Sequence, residues 1–473
     1  MRPHPPPRPG PLAPGAGIEP PTTWRRLLRV PALRHNLYYL VGIGGSGAGV
    51  LVAQAYVAHR LTPSGNGEAT AVLAILNLLY TATFIVAAGT ARRVAALAPT
   101  LADPETLWPQ LRARARRHGL WLGLLMIPLA PLFAVLLHLH QPLTVLVTIP
   151  AGPLAVLGGT QRGYLQGCHD FSRLARNFLL YGGLVVVTAV VLLQLGLGAA
   201  SLPIGSLVGM AAAATYPRHR RLATAGTDRQ ATPSATPGGG LTAGGWLTGL
   251  ALISGAATPQ LFNNFDVIAA KHVLPAHVAG LYAGLSVMGK ILFYGTSSLA
   301  AVMYPRVAAA RDPSLRRELV LRTGMALLAM DTVVLAVYTL LAHPILRAVL
   351  GPAYAGDARL LTVFTLGVIG LTLVNLLVYY ALGVGGRRFA LGPAIGLPLL
   401  LAWLFTSPPT VAGFVPRIAG ALLILALAEL ILVGPSIVRP PAGRRSAVDV
   451  AEDDVDAAHD RDGVGDQGAL DHP

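Results

Sequence analysis

The sequence predicts an all-α membrane protein with about twelve transmembrane helices, set as two parallel-related six-helix lobes around a central cavity. Three observations lead there. Of 473 residues, 53% are apolar and only 12% charged, with a mean hydropathy of +0.58, where a soluble domain carries about 25% charged residues. The cations gather in alternate inter-span segments. One long stretch also recurs in the second half of the chain.

A hydrocarbon core of about 30 Å needs about 20 apolar residues per helix. That ruler places spans at 37–57, 69–91, 119–139, 143–160, 178–198, 201–216, 246–270, 278–304, 319–342, 359–384, 389–406 and 415–436. With the N-terminus inside, cytoplasmic segments hold 30 of the 36 Lys and Arg. The outer segments hold Arg60, Lys271, Arg347, Arg359 and Arg417, and Lys290 lies within a span. This positive-inside pattern puts both termini in the cytoplasm of a multi-pass cell-membrane protein. The net charge of +15 forms no patch, so no nucleic-acid partner is expected. Cys168 is the single cysteine and allows no internal disulfide.

Residues 1–36 read as a cytoplasmic Pro- and Arg-rich extension before an uncleaved first span. The N-terminal lobe covers 37–216 and the C-terminal lobe 246–436. Between them, 217–245 has linker composition, with TDRQATPSATPGGG. The tail 437–473 turns acidic, with nine of the 21 Asp and Glu, and is expected to be disordered. No extramembrane segment is long enough for a catalytic domain, so an enzyme is not expected.

The recurring stretch is Leu61 to Ala96, which falls without a gap on Leu274 to Ala309, 213 positions later. Ten of the 36 positions match, among them Gly67 with Gly280 and the run Arg93-Val-Ala-Ala with Arg306-Val-Ala-Ala. Gly167-Cys-His-Asp-Phe171 echoes Gly385-Gly-Arg-Arg-Phe389 at offset 218. Six spans per half return the chain to the same side, so the halves are parallel repeats.

Charged groups at membrane depth are costly and mark function. Asp266, Asp331 and Glu429 are the acids within spans, and all three are candidates for ion coupling. Lys290 is the candidate anion contact in the cavity, with Asp266 as its counter-charge or as a cation site. Asn263 and Asn264 precede Asp266, and Asn77 occupies the repeat position of Lys290; these polar groups join the candidate set. A fixed structural pair between two helices would explain Asp266 and Lys290 equally well. Arg92, Arg93 and Arg306 close the second and eighth spans at the cytoplasmic mouth, where a guanidinium fork suits a diphosphate. Ordinary positive-inside anchoring would place them there too. Gly42-Ile-Gly44-Gly45-Ser46-Gly47 fits a dinucleotide fingerprint but lies inside an apolar span, so close helix packing explains it and no cofactor is expected. His138 and His140 lack an accompanying acid or Cys and read as interfacial residues, so no metal is expected.

The stretch NNFDVIAAKHVLPAHVAGLYAGLSVMGKILFYGTSSLAAVMYPRVAA resembles the start of the second half in the polysaccharide-biosynthesis, or oligosaccharide-flippase, family. That family belongs to the multidrug/oligosaccharidyl-lipid/polysaccharide exporter superfamily. Gly67-Glu68, Thr90-Ala-Arg-Arg-Val-Ala-Ala96 and YLQGCHDFSRLARN look like first-half landmarks of it. The resemblance implies a flippase moving a lipid-linked oligosaccharide or polysaccharide precursor by alternating access, with Asp266, Lys290 and Arg93 on family-like positions. It implies a lipid-linked saccharide, membrane lipids and polysaccharide-synthesis proteins as partners. The chain departs from that pattern in having one clear cavity cation. Four rivals stand beside it. A twelve-helix facilitator of the other large parallel-repeat type would need a short Gly- and Arg-bearing loop, where residues 92–118 are long and lack that pattern. A cation-coupled multidrug antiporter of the same superfamily would use the acids. A membrane glycosyltransferase would need outer carboxylates, where loop 58–68 offers only Glu68. A passive scaffold would dock through the acidic tail.

Overall fold

The computed structural model describes residues 31–97, 104–216, 261–310, 312–384 and 391–438. The linker 217–245, most of the N-terminal extension and most of the tail lie outside the described residues. Twelve α-helices follow in order. The N-lobe holds α1 (Pro31–Arg60), α2 (Pro63–Leu97), α3 (Trp108–Leu136), α4 (Thr148–Gly167), α5 (Phe171–Gln194) and α6 (Ser201–Thr215). The C-lobe holds α7 (261–273), α8 (Ala276–Ala309), α9 (Pro313–Val349), α10 (Ala358–Val384), α11 (Leu391–Phe405) and α12 (Val411–Val438). Ten of these are long and apolar enough to cross a membrane. The described part of α7 and the 15-residue α11 are shorter.

Local chemistry sets several helix starts. Pro63 and Pro313 open α2 and α9 at positions where no N–H partner is needed. Asp312 caps α9 by accepting from the Ser314 N–H at 2.9 Å, and Asp170 caps α5 by accepting from Arg173 N–H at 3.1 Å. Both hydrogen bonds from Ser314, hydroxyl first and amide second, hold the Asp312 carboxyl below its ordinary range.

Lipid offers no hydrophobic drive between helices, so close backbone approach takes over. Gly159, Gly163 and Gly167 line one face of α4 and lie against α2. A methyl at Gly163 would come within 2.4 Å of the Ala87 carbonyl oxygen, and one at Gly159 within 2.6 Å of that of Thr83. The glycine-rich run of α1 packs in the same way on α5. A methyl at Gly42 would meet Ala175 at 2.6 Å, and one at Gly49 would meet Gly182 at 2.7 Å. Gly42, Gly45 and Ser46 of the run thus face α5, whereas Gly44 and Gly47 have open space beside them.

The lobes meet along α2 and α8. Gly67 and Gly280, equivalent in the repeat, touch each other: a methyl on Gly67 would sit 3.1 Å from the Gly280 Cα. This contact lies at the cation-poor end of the bundle. Asn66 Nδ2 donates to the Gly280 carbonyl at 3.5 Å, and His272 Nδ1 lies 2.8 Å from the Leu136 carbonyl. Residues 66–76 of α2 and 282–290 of α8 are buried, whereas both helices become partly exposed toward the cation-rich end. The lobes are closed at the cation-poor end.

Candidate functional site

Beneath that closed end lies a polar seam built by α2, α7 and α8. Asn77 Nδ2 donates to Asn264 Oδ1 at 3.1 Å, joining the lobes at mid-depth. Asp266 Oδ2 accepts from the Tyr282 hydroxyl at 2.8 Å and from the Ser286 hydroxyl at 2.9 Å. Its Oδ1 is sealed from solvent without a hydrogen-bond partner, as is Asn263 Nδ2. Tyr282, Ser286 and Lys290 recur every four residues and so share one stripe of α8.

This geometry corrects the expected Asp266–Lys290 pair. Among the described residues Lys290 has no carboxylate within ion-pairing distance. Two hydroxyls from its own neighbouring turns satisfy Asp266 Oδ2 instead. The expected open cavity is also shut at this depth, with Lys290 1% and Asp266 5% exposed.

A second polar set lies within the C-lobe. Asp331 on α9 accepts through Oδ2 from the Thr372 hydroxyl on α10 at 2.7 Å, and its Oδ1 has no partner. Glu429 on α12 is 1% exposed, and neither carboxyl oxygen is hydrogen bonded. Helices α10 and α12 run parallel, with Gly367 against Ala419 and Gly370 against Leu422. That register brings Asn375, whose Nδ2 is also unpartnered, to the depth of Glu429. A buried carboxylate is costly unless a proton or cation completes it. Sealed, half-satisfied acids are therefore suited to exchanging such an ion.

The mouth residues stand apart from both sets. Arg93 and Arg306 are exposed at the cation-rich end, and the Arg92 side chain lies outside the described residues. Arg93 borders a shallow surface recess together with Arg114 and Gln110. At the opposite end, Glu68 is buried and accepts from the His140 amide and Nδ1, each at 2.6 Å. His140 therefore has an acid partner that sequence spacing concealed. Lys271, just beyond the seventh span, is pushed below its usual range by burial, while Glu68 acts in the opposite sense.

One interior residue escaped the sequence reading. Arg162, assigned there to a cytoplasmic segment, lies within α4 and is 2% exposed. Its Nε donates to Asn177 Oδ1 at 2.7 Å, its Nη1 donates to the Tyr80 hydroxyl, and the ring of Phe178 lies 4.2 Å from the guanidinium carbon.

Solved structures share this arrangement. An inward-facing multidrug resistance MATE family transporter of the MOP superfamily superposes with a TM-score of 0.59 at 12% identity, covering 85% of this chain and 98% of that one. The fold is that of the MATE transporters. A MATE protein in complex with MaL6 gives 0.57 at 13% identity, covering 86% of this chain and 96% of its own. A MOP superfamily transporter from Pyrococcus furiosus, whose reversed pocket polarity suggests a different function for that protein, gives 0.55 at 15% identity, covering 86% and 95%. No protein-family model and no curated protein matches the chain. The structural likeness thus falls on the MATE fold, and nothing in it singles out the oligosaccharide branch expected from the motifs.

Proposed function

We propose that the protein is a cation-coupled exporter of small amphipathic molecules that works by alternating access. The observation that carries this is the set of sealed C-lobe acids, Asp266, Asp331 and Glu429, each with at least one carboxyl oxygen unpartnered. Taking the cation-rich end as cytoplasmic, the closed end of the bundle faces outward. Cation entry from outside would complete these acids, while substrate enters the cytoplasmic cleft. The MATE-like fold supports this reading, since one structure sharing it is a multidrug resistance transporter. The test is efflux of ethidium, a lipophilic dye cation, from an efflux-deficient host expressing the chain. Dye accumulation should fall, and Asp266→Asn at equal protein level should restore it. Unchanged accumulation across a panel of dyes would count against the proposal.

A second reading rests on Lys290 and Arg162, two interior cations, and on the absence of any carboxylate between positions 69 and 102 or 106 and 169 of the N-lobe. These would suit an anionic lipid-linked saccharide and its synthesis partners. Loss of a surface polymer in a Lys290→Ala strain, with dye efflux absent from the wild type, would favour it.

A further inference from the structure

We propose that the exposed arginines at the start of α3 dock the acidic tail segment 449–471, which straps the two lobes together at their cation-rich end. The first eleven residues of α3, WPQLRARARRH, carry Arg112, Arg114, Arg116 and Arg117 and no acid. All four side chains are exposed, and among the described residues none of them has an ion-pair partner. Arg93, near the end of α2, borders the same shallow recess as Arg114 and adds a fifth charge. Positive-inside anchoring alone would place cations here, but the third helix of the other lobe is arranged differently. The first ten residues of α9 hold Arg316, Arg317 and Arg322, which Glu318 and the capping Asp312 offset. Arg322 pairs with Glu318 at 2.5 Å, and Arg316 Nε donates to the Ala310 carbonyl at 2.7 Å. The four charges of α3 are left uncompensated by their own helix.

The chain itself supplies a complement. Segment 449–471 holds nine acids against Arg461 alone, a net charge of −8. It starts eleven residues beyond Val438, where α12 ends. That end of α12 lies at the same end of the bundle as the start of α3. The Tyr380 hydroxyl of α10 donates to the Ser436 carbonyl of α12 at 3.2 Å, and a methyl on Gly383 of α10 would meet Val307, next to Arg306 on α8, at 2.9 Å. In the N-lobe, Val94 of α2 packs with Leu111 of α3 beside Arg93. Extended, residues 439–456 span about 60 Å, against about 40 Å for a bundle of twelve helices each about 10 Å across. The tail acids therefore reach α3 from the opposite lobe, and the tether raises their effective concentration there. Acidic lipid is the other source of negative charge. The apolar part of α3 begins at Leu120 and Trp121, both exposed, and Trp suits a membrane interface. Along the helix, Arg114 and Arg112 lie about 9 and 12 Å before Leu120, beyond a head-group layer about 5–8 Å thick. A segment in water reaches that height and lipid does not, so the tail is the occupant.

The experiment places spin labels at Gln110→Cys and Ala457→Cys in the full chain, with Cys168→Ser, in nanodiscs of phosphatidylcholine. Pulsed dipolar spectroscopy should show a short-distance population in about 20 mM salt, where the Debye length is about 20 Å. Exposed ion pairs are weak singly and screened together, so this population should fall at least about twofold by about 500 mM, where that length is about 4 Å. Arg112→Glu with Arg114→Glu should abolish it in low salt, whereas Arg317→Glu with Arg322→Glu on α9 should leave it intact. The salt series needs only the labelled chain and serves where a reversed variant does not fold. No short population in low salt, one that survives high salt, one retained in the α3 variant, or one lost equally in the α9 variant would overturn the proposal. So would a short population that vanishes when phosphatidylglycerol is added to the discs, which gives the face to lipid. The readout involves no transport, so its failure leaves the exporter reading standing, and failure of dye efflux leaves the strap standing.

Discussion

Asp266 is the residue on which the seam turns. It takes two hydroxyl donors on one oxygen and none on the other, so replacing it tests charge rather than shape. Asp266→Asn keeps the volume but loses the ionisable oxygen. A hydrogen bond to a charged group is worth about 1.5–3 kcal/mol, so initial efflux rates should fall roughly tenfold or more. Proteoliposome flux at matched protein density measures this, and a rate within twofold of wild type would remove Asp266 from the coupling step. Glu429→Gln makes a complementary case. Its oxygens have no protein partner, so the amide should leave the unfolding midpoint unchanged or raised while flux loses its dependence on the imposed cation gradient. Flux that still follows the gradient would assign Glu429 a packing role.

Residues of this kind differed in how legible they were. Asp266, Lys290, Asp331 and Glu429 stood out because each interrupts a long apolar run. Their partners did not, since Tyr282, Ser286 and Thr372 are ordinary members of helical sequence until a facing helix supplies an acid. Arg162 was hidden by its setting, QRGYLQG at the end of an apolar run, which reads as a positive-inside loop. The signal that could have found it is Gly159, Gly163 and Gly167 at four-residue spacing. A small-residue stripe of that kind continues the helix past Arg162 and fixes which face is buried.

At the scale of elements, two contacts govern packing and motion. The stripe on α4 clamps α2, and Gly163 leaves no room for a larger group. Gly163→Leu should lower N-lobe stability by about 1–3 kcal/mol or more, read as a lower unfolding midpoint in detergent. The Gly67–Gly280 contact behaves differently, because under the proposed alternating access it would form and part in each cycle. A methyl on Gly280 would lie 1.7 Å from the Pro63 carbonyl oxygen, which no side-chain adjustment relieves. Gly280→Ala should therefore hold the cation-poor end apart without unfolding either lobe. Labelling of a cysteine placed at Val278, a partly buried position on α8, should speed up in Gly280→Ala; equal labelling rates would show that the contact is no gate. Ten of the twelve expected spans are found in order as helices long and apolar enough to cross a membrane. The largest shift was in the third, expected at 119–139 and found as Trp108–Leu136, followed by the fourth, expected at 143–160 and found as Thr148–Gly167. Hydropathy ends a span at its first polar residues, whereas the helix ends where its packing partner does.

For the whole molecule, two six-helix lobes meet at Gly67 and Gly280 near the cation-poor end. A rocking motion about that contact would exchange one opening for the other. The direct test uses spin labels at Arg93→Cys and Arg306→Cys, exposed and equivalent positions on α2 and α8, after Cys168→Ser removes the native thiol. Pulsed dipolar distances in nanodiscs should show a long population that shifts to a shorter one when a cation gradient or substrate is added. A single distance that stays fixed under every condition would contradict alternating access in this protein.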